Sequence, residues 1–142
     1  MRALLSRSTI FAVALLLSGV SANAQETASI SMQPTVNVCA SGEGVAGTCV
    51  PPTGTYLSGL VAQNLPAADF SQSLADFVIA LAALAQADAA CTEMDREISE
   101  SIKLASTYAI DPVQRASFFE IGDTIGSCGD FQTAAITPAS PN

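Results

Sequence analysis

Four cysteines constrain the fold of this chain more than any other feature of its sequence. They are Cys39, Cys49, Cys91 and Cys128, an even number in a chain of 142 residues, which in an exported protein indicates two disulfides. Three glycines between Cys39 and Cys49 allow a tight reversal. We therefore predict a local bridge between these two and a second one between Cys91 and Cys128, contributing about 3 and about 4 kcal/mol if they are unstrained.

The first 24 residues have the organisation of a signal peptide. Arg2 and Arg7 precede an apolar stretch, residues 10–17, that is too short to span a bilayer. The tripeptide Ala22–Ala24 then places small residues at the two positions that a signal peptidase reads. We expect cleavage after Ala24 and a periplasmic or secreted product that begins at Gln25 and has no stable membrane insertion.

The rest of the chain divides into three segments. Residues 25–59 are predicted to form an N-terminal arm that contains the Cys39–Cys49 loop, residues 60–131 a helical domain, and residues 132–142 a disordered tail. Within the arm, the alternation of apolar and polar residues from Thr35 to Cys39 favours a short β-ribbon around the loop. Pro51 and Pro52 are expected to break regular structure after it.

The central helix is predicted to begin near Pro66, with Asn64 as its N-cap. Its apolar residues follow a 4-3-4-3 spacing that draws one stripe down a helix; they are Phe70, Leu74, Phe77, Leu81 and Leu84. The sequence leaves open whether this helix continues into the next one through residues 88–91.

Two further helices are predicted from their capping patterns. Thr92 and Asp95 form a start that resembles a capping box, and Asp111 with Gln114 forms a second one. Gly129 is positioned to supply a left-handed exit from the last helix. The fold class is therefore mainly α: a small bundle of about three helices, preceded by an irregular or short β-ribbon disulfide loop segment.

The last two predicted helices are expected to form an antiparallel hairpin that turns at residues 108–111. In that register Cys91 and Cys128 lie level with each other across the hairpin, and each lies on the apolar stripe of its helix. A bridge between them would close the open end of the hairpin.

The composition excludes several classes of function. The chain has no histidine, which removes Ser-His and Cys-His nucleophiles and histidine metal sites. No Cys-x-x-Cys motif supports redox or zinc chemistry, and no acidic loop matches a calcium site. The mature part retains three cations against thirteen carboxylates, a formal charge of −10, which opposes binding to nucleic acid or to an anionic membrane.

Carboxylates are the remaining candidates for catalysis. Glu97 or Glu100 could approach Glu120 or Asp123 across the hairpin, although a solvated acidic face partly neutralised by neighbouring cations explains the same residues more simply. A Ser99–Lys103 dyad is disfavoured because Lys103 lies in a polar stretch.

The aromatic residues offer one candidate for ligand binding. Phe70, Phe77, Phe118 and Phe119 would line an apolar pocket between helices if they did not fill the core. Core packing is the favoured interpretation, because a domain of this size has few other aromatic residues to fill its interior.

We therefore expect an exported, non-enzymatic interaction or structural module with an unknown protein partner. The alternative is a carrier that binds a small apolar ligand between helices, and the third hypothesis is a carboxylate-dependent hydrolase. The sequence indicates no catalytic, cofactor-binding or metal-binding residue and no cofactor.

Cleavage of the signal peptide can be tested on the full chain expressed in an exporting cell. The exported product should begin at Gln25, as read by intact mass and N-terminal sequencing. Ala24→Phe should leave the precursor uncleaved, whereas Asn23→Phe should be processed normally because the peptidase does not read that position. An exported product that retains residues 1–24 would contradict the prediction.

Overall fold

A computed structural model describes residues 30–41, 47–86 and 91–129, and these residues form five α-helices and no strand. The predicted signal peptide and the predicted tail lie outside them. The helices are α1 (Gln33–Ser41), α2 (Val50–Ala62), α3 (Ala67–Gln86), α4 (Glu93–Tyr108) and α5 (Pro112–Gly126). All five contribute buried side chains to one core. The predicted mainly α class is confirmed, but five helices are present in these residues where about three were expected.

Helix α1 replaces the predicted β-ribbon, which is wrong for the described residues. Val36 and Cys39, three positions apart, face the core, while Val38 between them is 43% exposed. Apolar residues at positions 36, 38 and 39 fit both a strand and one turn of a helix, and a pattern this short does not distinguish the two. The segment is helical because a helix buries Val36 and Cys39 together against the other helices.

Helix α2 begins where the prolines were expected to break regular structure. Pro51 and Pro52 lie in its first turn, where the backbone N–H groups have no partner within the helix and proline therefore costs nothing. The helix continues through Leu60, so the helical part of the chain begins before the predicted boundary at that residue.

Asn64 lies just after the C-cap of α2, Gln63, and does not cap α3, contrary to the sequence prediction. Its φ of 50° is left-handed, and its N–H donates to the carbonyl of Val61 at 3.1 Å. Asparagine tolerates this conformation better than most residues, so it can follow the end of a helix as glycine does.

Helix α3 is the central helix that the apolar stripe predicts, and Leu74, Phe77 and Leu81 on it are fully buried. It ends at Gln86, and Thr92 is an extended N-cap before α4, so the two are separate helices. By length and composition Ala67–Ala85 would also be able to cross a membrane, a test that core helices of soluble proteins pass as well; 44% of that window is buried inside the protein.

Helices α4 and α5 form the predicted antiparallel hairpin. The capping box of α4 is confirmed, with the Asp95 backbone N–H donating to Thr92 Oγ1 at 3.4 Å and the Thr92 N–H donating to Asp95 Oδ2 at 2.6 Å. Asp111 caps α5 by accepting from the Gln114 N–H at 2.8 Å. The left-handed exit from α5 lies at Cys128, with a φ of 61°, and not at Gly129 as predicted.

The side chain of Gln114 does not complete the predicted capping box. It is 3% exposed and reaches helix α3, where it accepts from Ser71 Oγ at 2.8 Å and donates to the Ser71 carbonyl at 3.0 Å. This pair of hydrogen bonds joins α5 to α3 within the core.

Both predicted disulfides are present. Cys39 and Cys49 have Cα atoms 4.6 Å apart and are each 1% exposed. Cys91 and Cys128 have Cα atoms 5.6 Å apart, are exposed, and close the open end of the hairpin. The pairing therefore agrees with the register argument from the sequence.

Gly122 allows α5 to approach α4 closely. A Cβ added there would lie 3.0 Å from the backbone oxygen of Ser99 and 2.9 Å from Lys103 Cγ. Ser99 Oγ donates to the Gly122 carbonyl at 2.6 Å across the same contact. Because the obstructing oxygen belongs to the backbone of α4, a side chain at residue 122 would push the two helices apart.

We predict that Gly122→Ala lowers the free energy of unfolding by about 1–3 kcal/mol, the usual cost of overpacking. Gly54→Ala is the matched control, since its Cβ would meet only Leu104 Cδ2 at 3.8 Å, and it should raise stability by about 0.5–1 kcal/mol through better helix propensity. Denaturant titration with the disulfides intact measures both. Equal stabilisation by the two substitutions would show that the helices are not in close contact at Gly122.

Candidate functional site

Glu97, one of the candidate catalytic carboxylates, holds the segment that leads into α2. Its carboxylate accepts from the backbone N–H of Gly47 at 2.7 Å and from that of Cys49 at 3.4 Å. Cys49 is the N-cap of α2, where a negative charge complements unpaired N–H groups and the helix dipole. Glu97 therefore joins α4 to the Cys39–Cys49 bridge.

The other candidate catalytic residues do not form a common site in the described part of the chain. Lys103 Nζ lies 3.3 Å from Asp123 Oδ1, while the Ser99 hydroxyl donates a hydrogen bond to the Gly122 carbonyl of α5. Glu100 and Glu120 are exposed. No group of three or more carboxylates and cysteines suited to a metal ion occurs in the described ranges.

The four phenylalanines considered for a pocket do not line one cavity. Phe70, Phe77 and Phe118 are buried in the core, whereas Phe119 is 53% exposed. Lys103 Nζ lies 5.7 Å from the centre of the Phe119 ring. The Phe77 ring instead contacts Tyr56 of α2, with ring centres 4.5 Å apart.

An apolar groove lies between α1, α2 and the residues that precede α1. Its volume is about 440 Å³, within the range of known small-molecule sites. We call it the α1–α2 groove. Its lining residues are Ile30, Ser31, Pro34, Thr35, Val38, Pro52, Thr55, Tyr56 and Gly59.

The geometry of the groove is set by the Cys39–Cys49 bridge. Because this bridge joins the last turn of α1 to the N-cap of α2, the two helices cannot separate at that end. Ser101 of α4 donates a hydrogen bond to the Cys49 sulfur at 3.2 Å. The two helices of the groove are therefore joined covalently at this end, and the bridge is hydrogen-bonded to α4.

Gly59 forms part of the groove because it has no side chain. A Cβ at this position would lie 2.5 Å from Ile30 Cδ1, so Ile30 packs directly against the backbone of α2. Ile30 is itself 41% exposed. A larger residue at position 59 would displace Ile30 and fill the groove.

Among the described residues, no charged side chain lines the α1–α2 groove. Two of its hydroxyls have local partners: Thr55 Oγ1 donates to the Pro51 carbonyl at 3.2 Å, and Ser31 Oγ accepts from the Gln33 N–H at 3.3 Å. Burial, and to a lesser extent the charge of Asp76, raises the pKa of Tyr56 above its usual value, so this ring is neutral at physiological pH.

The described cations all lie on α4 and α5, away from the groove lining. Arg96 pairs with Glu93 at 2.7 Å, and Lys103 pairs with Asp123. The guanidinium of Arg115 donates to the Ala109 carbonyl at 2.8 Å. An anion in the groove would therefore find no positive side chain among the lining residues.

The groove was not predicted, because α1 was expected to be extended and α2 irregular. The sequence nevertheless contains one signal for it: between residues 27 and 68 the only charged residue is Glu43. A long segment with a single charged residue, in a chain of net charge −8, indicates a surface of different character from the rest.

We predict that Glu97→Ala lowers the free energy of unfolding by about 1–2 kcal/mol, because two backbone donors lose a charged acceptor. Glu100→Ala, three residues away on α4 and exposed, should change it by less than about 0.5 kcal/mol. Denaturant titration of the oxidised protein gives both values. Equal losses would contradict the role assigned to Glu97.

The comparisons with known proteins add no relative from which a function could be carried over. No protein-family model matches the chain, and neither the curated proteins nor the solved structures yielded a significant match.

Proposed function

We propose that the mature chain is an exported, non-enzymatic interaction module of the periplasm or extracellular space that binds its partner in the α1–α2 groove. One observation carries the proposal: the groove is concave, apolar and uncharged, and a buried disulfide holds its two helices together. Concave apolar surfaces with a few polar groups are typical of binding sites.

The two disulfides are compatible with an oxidising compartment outside the cytosol. Together with the sequence features of the first 24 residues, they support export. A small domain that must persist outside the cell benefits from such bridges, since its core alone contributes limited stability.

Binding without catalysis is supported by the partners of the reactive side chains. The Glu97 carboxylate accepts a backbone hydrogen bond just before α2, Lys103 forms an ion pair with Asp123, and the Ser99 hydroxyl donates a hydrogen bond to the backbone of α5. Each of these contacts has a structural explanation. The hydrolase hypothesis would require a cleft that brings such groups to a common substrate.

Photo-crosslinking in cells that express the full chain tests the proposal. Val38 lines the groove and is 43% exposed, whereas Val61 is 49% exposed and lies on α2 outside the lining. p-Benzoylphenylalanine at position 38 should give one defined adduct, identified by mass spectrometry as a small molecule or a protein, and the same group at position 61 should give none. Equal adducts at both positions, or no adduct at position 38, would contradict the proposal.

A further inference from the structure

We infer that the occupant of the α1–α2 groove is one small, uncharged, apolar molecule, such as a neutral aromatic or branched hydrocarbon compound. The inference rests on the proposed function, because it names the chemical class of the partner that this surface binds. It is carried by the size of the groove, the chemistry of its lining and its covalent frame.

The size of the groove favours a small molecule over a protein. Stable protein interfaces bury about 800 Å² on each partner and involve roughly 20–30 residues a side. The groove has nine lining residues and a volume of about 440 Å³, whereas small-molecule sites commonly enclose about 300–1,000 Å³. One compact ligand matches the groove in size and would keep one side open to solvent, while a protein partner would need a much larger contact.

The chemistry of the lining favours an uncharged ligand. An anion would lose its hydration without gaining a cationic partner, in a chain whose net charge is −8. A cation would find no carboxylate among the lining residues. Thr55 Oγ1 donates to a backbone carbonyl and Ser31 Oγ accepts from a backbone N–H. The larger part of the lining is apolar, so the main favourable contribution comes from burying apolar surface against side chains such as Pro34, Val38 and Pro52.

The frame of the groove reduces the entropic cost of binding. The Cys39–Cys49 bridge joins the two helices, and Pro34 and Pro52 restrict the backbone in the first turn of each. A site that is already formed does not lose further conformational freedom when a ligand enters.

Two fluorescent probes of similar shape test the inference on the oxidised mature chain, residues 25–142. N-phenyl-1-naphthylamine is neutral, and 8-anilino-1-naphthalenesulfonate carries a negative charge. We expect saturable binding of the neutral probe at one site per chain and at least about tenfold weaker binding of the anionic probe, because its sulfonate finds no cationic partner among the lining residues and the chain carries a net charge of −8. Absence of saturable binding by the neutral probe, or equal affinity for both probes, would overturn the inference.

A matched pair of variants locates the probe. Val38→Glu places a carboxylate in the groove and should weaken binding of the neutral probe at least about tenfold, whereas Val61→Glu should leave the affinity unchanged. Both valines are similarly exposed, so neither change should unfold the protein; circular dichroism checks this. Gly59→Leu should also abolish binding, by filling the groove. Equal effects of the two glutamates would place the probe elsewhere and overturn the inference.

The outcomes separate this inference from the proposed function. A crosslink from position 38 to a protein alone, together with failure of the neutral probe to bind, would overturn the small-molecule inference and leave the interaction module standing. Failure of the crosslink itself would contradict both.

Discussion

The buried bridge between Cys39 and Cys49 is the constraint on which the N-terminal half of the structure depends. Helices of 9 and 13 residues are marginal in isolation, and the bridge holds them together as one unit. Helix α4 holds that unit in place through hydrogen bonds. The Ser101 hydroxyl donates to the Cys49 sulfur, and the Glu97 carboxylate accepts from the backbone N–H groups of Gly47 and Cys49. Covalent, polar and apolar contacts therefore converge at one end of the α1–α2 groove.

The α4–α5 hairpin supplies the rigid platform for this arrangement. It is joined at its open end by the Cys91–Cys128 bridge and held close in its middle by the contact of Gly122 with Ser99. Gln114 connects the platform to the central helix through a buried pair of hydrogen bonds. A platform fixed at several points allows the two short helices above it to keep a defined geometry.

Charge is distributed unevenly over the structure. The described cations lie on α4 and α5, and each contacts a carboxylate or a carbonyl. Helices α1 and α2 contain no charged residue. An acidic exterior favours solubility of the protein, while the uncharged helices α1 and α2 form two walls of the apolar groove. This separation supports the proposal that α1 and α2 form the binding surface.

The sequence by itself determined the disulfide pairing, the hairpin and the N-caps of its two helices at Thr92 and Asp111, because these follow from local patterns and from the level positions of Cys91 and Cys128 in one register. The tertiary structure decided the features that depend on contacts between distant segments: the helical state of α1, the groove, and the partners of Glu97 and Gln114. A short segment such as α1 fits the apolar spacing of a helix and of a strand equally well. The hydrogen-bond partner of a long polar side chain such as Glu97 or Gln114 depends on which helix packs against it. Neither outcome is encoded within a single segment.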